Sequence, residues 1–213
     1  MHKRGLPVRL FLLALLLMPD AARGEVAPTT LEKMTGRADA IAVARVDRII
    51  SVNGVRVALA AVFLPLKELP VGQRFAFIAQ PTWACDDSTA RQGEIVLLFL
   101  TRRRGMLGGL PVFSIAHAGS GRVPVERHGG RSVLWAWLRR SSAEPQRLSL
   151  SYEMIRLPAG FPSLPEPVDK NGVPSGRVPI LLSDAQKAIR SLVTARAAGS
   201  SGGPGALTPH PLM

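Results

Sequence analysis

The sequence predicts a mainly β domain, either a sandwich or a small closed barrel, flanked by one short helix in front and one behind. Three observations predict it. Six to eight short apolar runs recur with turn residues between them, and a regular spacing of that kind belongs to closed or double-layered sheets. Asn53-Gly54 separates two long apolar runs and is the strongest hairpin signal in the chain, because a type I′ turn needs positive φ at both central residues. Ile95–Leu100 (IVLLFL) is apolar throughout, as a central strand covered on both faces would be.

The chain of 213 residues opens with a basic segment (His2, Lys3, Arg4, Arg9) and an apolar run, Leu10–Met18. Ala22-Arg23-Gly24 then offers small residues for a cut before Glu25. This pattern is that of a secretory signal peptide over 1–24, and its apolar run is too short to span a bilayer. The expected compartment is therefore extracytoplasmic, periplasm or medium, with no transmembrane segment left after cleavage. Removing 1–24 takes four basic residues and one acidic residue away, so the net charge falls from +12 to +9 over 189 residues. That length suits one domain. A basic exported protein is drawn to anionic polymers, although an arginine-rich solvated surface has the same composition. Cys85 is the only cysteine, which excludes an intramolecular disulfide and leaves stability to a core of Val, Leu, Ile and Ala.

Thr29 or Thr30 can cap a short helix in LEKMTGRAD, with Gly36 ending it at the mouth of the barrel. Ala40–Ile50 reads as a strand with a bulge around Ala44–Val46, and Val55–Leu64 returns as its partner. Pro65–Gly72 reads as a connection, followed by a strand at Phe75–Ala79. Arg102-Arg103-Arg104 with Gly105, Gly108 and Gly109 form a polar tip before the strand Leu110–Ala116, whose Pro111 suits a strand start or edge. Gly119-Ser120-Gly121 and His128-Gly129-Gly130 are turns. Ser132–Leu138 is a strand or a helix, and Leu148–Leu157 is a late strand closing a barrel domain over 25–157. Six prolines then mark a linker over 158–182. Ser183-Asp184 begins a helix over 183–198 with Ile189, Leu192 and Val193 on one stripe, and 199–213 is a disordered tail.

The stretches ADAIAVARV (38–46), VFLPLKELPVG (62–72) and GEIVLLFL (93–100) resemble, in kind and order, segments of exported bacterial OB-fold domains of the netrin and tissue-inhibitor-of-metalloproteinase type. The resemblance covers about residues 31–157 and implies a small OB-type, Greek-key barrel. Inhibitors of that kind chelate the protease zinc through a cysteine at the mature N-terminus. Here that position is Glu25 and Cys85 stands alone, so this mechanism does not carry over.

Two surfaces are candidates for function. The loop Trp83–Ser88 holds Trp83, Cys85 and Asp86, and the hairpin beyond it holds Arg102, Arg103 and Arg104. Cys85 could act as a nucleophile or redox thiol only beside a base such as His117 or His128, and the adjoining Asp86 and Asp87 oppose thiolate formation. The plainer reading is a thiol packed beside Trp83. Cys85, Asp86, His117 and His128 lack the close ligand pairs of a zinc site, so no metal or cofactor is expected. Ser120 lacks the G-x-S-x-G spacing of a nucleophile elbow. An anion-binding face would gather Arg102–Arg104 with Arg122 or Arg139, and the aromatic platforms at hand are Trp135, Trp137 and Tyr152. Export argues against nucleic acid as the partner. The expected function is a non-catalytic binding module for a protein or an anionic envelope polymer. A thiol enzyme and an arginine-face polymer binder are the alternatives.

Overall fold

The computed structural model describes residues 27–80, 89–140, 147–151 and 153–200. The expected signal segment, the stretch Trp83–Ser88 with Cys85 and Asp86, and the residues beyond 200 lie outside them.

Five strands close on themselves. β2 (Ala40–Val52), β3 (Val55–Lys67), β4 (Arg74–Ile78), β6 (Leu110–Ile115) and β5 (Ile95–Leu107) pair in that order, and β5 pairs back onto β2. All contacts are antiparallel except β4 with β6. This is the strand order of an OB-type barrel, as expected. β7 (Arg122–Pro124) adds to the free side of β5. The β2–β3 turn has φ 50° at Asn53 and 79° at Gly54, as the hairpin signal required. The β2–β3 ladder shifts register at Ile41/Ala42, Val43/Ala44 and Val46/Arg48. Leu66, Phe63 and Asp47 are thus left without a partner, and these bulges let two 13-residue strands curl around a narrow barrel.

Alternation along β2 and β5 explains why both read as unbroken apolar runs. Ala40, Ala42, Ala44, Val96, Leu98 and Leu100 point into the barrel, where small residues face Phe75, Phe77 and Phe113. Phe75 and Phe113 meet edge to face at 5.7 Å. Ile41, Val43, Leu97 and Phe99 point outward into a second core. That core is covered by a second sheet in the order β1 (Thr29–Thr30), β11 (Ile155–Arg156), β10 (Arg147–Leu150), β9 (Arg131–Arg139), β12 (Arg177–Leu181), with β8 (Glu126–His128) also on β9. The ambiguous stretch Ser132–Leu138 is therefore strand.

Several expectations need correction. The residues of Pro65–Gly72 up to Lys67 belong to β3, and Pro65 sits at a bulge where its missing N–H does no harm. The end of β3 also places Lys67 Nζ on the carbonyls of Thr35 and Ala38, at the C-terminus of helix α1 (Leu31–Arg37). Thr30 caps that helix, its Oγ1 accepting from the Lys33 N–H at 3.1 Å. Gly36 does not end the helix. Instead, it lies within the helix, and the guanidinium tip of Arg196 on helix α2 (Leu182–Ser200) occupies the space beside its Cα, 2.0 Å from where a Cβ would stand. Leu148–Leu157 is two strands, because Ser151 and Glu153 take φ 51° and 66° and turn the chain.

The largest correction concerns the linker. Residues 177–181 form β12, paired along β9, with Val178 and Ile180 in the second core. The preceding excursion is tied down: Leu164 N–H donates to the Pro179 carbonyl at 2.8 Å, and Glu166 accepts from the Gly176 N–H and pairs with Arg140. Helix α2 then packs Leu182, Ala185 and Ile189 onto the same core. Proline is tolerated at the edge of the sheet, which is why a proline-rich stretch still ends in a strand. The helix starts one residue ahead of the expected 183 and runs to 200, placing Asp184 in its first turn, where the dipole favours a carboxylate.

Gly121 joins β6 to β7 at a point where a Cβ would approach the Phe99 and Ala116 carbonyls at 2.8 and 3.0 Å. Both are backbone atoms of the barrel wall and cannot step aside. Gly121→Ala is expected to cost about 1–3 kcal/mol. Urea titration would show a lower midpoint with an unchanged slope; an unchanged midpoint would mean the junction is looser than described.

Candidate functional site

Two grooves open on the described surface near the ends of the 81–88 loop, one at each stem. Gln80, the last described residue before the loop, lines a groove of about 400 Å³ with Arg102, Arg103, Ser114 and His117. Thr89 and Arg91, just after it, line a larger groove of about 750 Å³ with Arg122, Trp135, Trp137 and Arg177.

In the smaller groove the arginines are strand residues of β5 rather than members of a loop, and the hairpin tip lies further on at Gly108-Gly109. Arg102 N–H donates to Asp39 Oδ2 at 2.8 Å, and its guanidinium lies 5.6 Å from the Phe113 ring centroid. Arg103 Nε donates to Ser114 Oγ at 3.1 Å. Arg104 is exposed and does not line the groove. His117 Nε2 donates to the Ala27 carbonyl at 2.9 Å, since a carbonyl can only accept; that bond fixes the ring. His117 and Ala118 both hold positive φ (53° and 49°), a costly conformation for residues with a Cβ, in the turn that reaches Gly121.

The expected gathering of Arg102–Arg104 with Arg122 or Arg139 does not occur. Arg122 is buried in the other groove, where Nε donates to Glu94 Oε1 at 3.2 Å and Nη2 bonds Oε2. Arg139 pairs with Glu153 at 3.6 Å on the surface. His128, the second candidate base, stands exposed at the β8–β9 turn, edge-on to Trp135 at 5.4 Å. Among the described residues no cluster of three or more His, Cys, Asp or Glu could hold a metal ion.

The larger groove is lined by residues from 89–95 and 122–126, with Ser151, and by Trp135 and Trp137 of β9 and Arg177 of β12. Leu134 and Ala136 of β9 face the second core, so Trp135 and Trp137 fall together on the opposite face. In register, Arg177 sits opposite Trp137. Its guanidinium lies 5.4 Å from each of the two indole ring centroids. A guanidinium over indole faces is attracted by the ring quadrupole. Trp135 Nε1 donates to Glu126 Oε2 at 2.8 Å, which fixes that indole. Arg177 Nε is buried without a hydrogen-bond partner, and among the described residues no carboxylate pairs with its charge. The indoles thus hold a cation in place without neutralising it.

The sequence placed Trp135 and Trp137 among the available platforms but missed Arg177. Their i, i+2 spacing in VLWAWL was the available signal. Arg177 lay in the proline-rich stretch, and only the β9–β12 pairing brings it across. Comparison with family models, with curated proteins and with solved structures gave no match.

Proposed function

We propose that this chain is an exported, non-catalytic binding module that takes an anionic ligand in the larger groove. The observation that carries the reading is Arg177, a guanidinium fixed over two indoles, with no carboxylate paired to it among the described residues. Such a cation is already ordered before a ligand arrives, so binding loses less side-chain entropy than recruiting a free arginine would. Arg91 on the same rim adds positive charge. The groove volume falls within the range of small-ligand sites, roughly 300–1,000 Å³. The closed barrel is of OB type, and OB barrels serve many binding roles on one scaffold. Export rests on the N-terminal segment 1–24.

Both halves are testable. The protein recovered from periplasm or medium is expected to begin at Glu25, and recovery of the full-length chain from the cytosol contradicts export. On a sulfated-polysaccharide column the wild type should be retained and should elute with salt, as charge-driven binding requires. Arg177→Gln should elute earlier. If only the combined change of Arg102, Arg103 and Arg104 to Gln shortens retention, the site lies on β5 instead.

A further inference from the structure

The charges around Arg177 narrow the ligand class, and the narrowing rests on the anion-binding reading above. Three arginines line the groove (Arg91, Arg122, Arg177), but so do two carboxylates, Glu94 and Glu126. Glu94 is engaged by Arg122, and Glu126 accepts the Trp135 indole N–H. Each carboxylate has lone pairs beyond those bonds, so each can accept a hydroxyl hydrogen. A DNA phosphodiester backbone brings charged acceptors for Arg177 but no hydroxyl donors for the two glutamates. A neutral sugar brings hydroxyl donors for the glutamates but leaves the Arg177 charge unanswered. A sugar acid brings both: hydroxyls for Glu94 and Glu126, and a carboxylate for Arg177. The indoles that carry Arg177 also add apolar surface to the groove beside it, against which the C–H face of a pyranose can lie. We infer that the groove formed by Trp135, Trp137, Arg177, Glu94 and Glu126 binds a carboxylated sugar unit, as found in uronic-acid polysaccharides.

The proposed contacts have distinct signatures. The carboxylate on Arg177 makes binding weaken with salt, while the hydroxyls on the glutamates and the pyranose face on the indoles make it selective against other anions.

Titration calorimetry of the mature chain with trigalacturonic acid, maltotriose and a short oligothymidylate tests the assignment. The acidic trisaccharide should bind, with maltotriose and oligothymidylate each weaker by roughly tenfold or more, the loss expected when a charge-assisted hydrogen bond goes unmade. Arg177→Gln should lose affinity for the acid by a similar factor, and Arg45→Gln, a surface change of equal charge outside the groove, should not. Circular dichroism confirms that Arg177→Gln folds; if it does not, Arg177→Lys keeps the charge while losing the planar stack, and should still weaken binding. Oligothymidylate binding as tight as or tighter than the acid overturns the sugar assignment but leaves anion binding standing. Equal binding of maltotriose and the acid overturns the role of the Arg177 charge. No heat with any of the three, together with no retention on the sulfated column, overturns both readings.

Discussion

A chain ending at Leu157 is expected to remain unfolded in water. The boundary lies where the alternating segments stop and the prolines begin, yet Val178, Ile180, Leu182 and Ile189 beyond it are all buried. Each side chain of this size contributes about 1.5–3 kcal/mol on burial, so losing these four forfeits roughly 6–12 kcal/mol. That equals the whole net stability of an ordinary domain, about 5–15 kcal/mol. The truncation also strips the partner from one entire side of β9 and leaves Leu134 and Ala136 under an open core. The far-ultraviolet spectrum and the thermal transition of the shortened chain provide the check. A cooperative transition within a few degrees of the full chain would show that β12 and α2 are appendages after all.

The second large effect is expected at Arg122. Its side chain is 4% exposed and that of Glu94 is 15%, so the pair is nearly out of water. Removing one partner strands the other charge in a low-dielectric site, which typically costs about 3–5 kcal/mol. Arg122→Ala should therefore lower the urea midpoint far more than Arg45→Ala, whose arginine side chain is 65% exposed and whose pair with Asp47 lies at the surface. Replacing both partners together, Arg122→Met with Glu94→Leu, should recover most of the loss, because no buried charge remains unpaired. Equal effects of Arg122→Ala and Arg45→Ala in the same buffer would contradict the burial described for the inner pair.

Much of the barrel was legible because its signals are local. The Asn53-Gly54 turn, the alternation of β2 and the apolar run of β5 each state their structure within a few residues. The second sheet was harder to read. Its strands β1, β8, β10 and β11 are two to four residues long, too short for periodicity to register. β12 is five residues with a proline at its centre and takes its identity from pairing with β9, about 45 residues away in the chain. The candidate site shows the same division. Trp135 and Trp137 announce a shared face by their spacing, whereas the cation between them comes from a segment that propensity assigns to a linker. Arg102 and Arg103 looked like the site because three arginines in a row are conspicuous. Strand geometry instead spreads them along β5, engages Arg103 with Ser114, and leaves Arg104 outside the groove.

The central claim is that ligand enters the larger groove, where Trp135, Trp137 and Arg177 stand. Each tryptophan indole N–H gives its own signal in a nitrogen–proton correlation spectrum, and single Trp→Phe changes assign them. During titration with trigalacturonic acid, the Trp135 and Trp137 signals are expected to move together and to return as salt is added. Indole signals that stay fixed while the backbone amides of Arg102, Arg103 and His117 shift would place the ligand in the smaller groove and contradict the account.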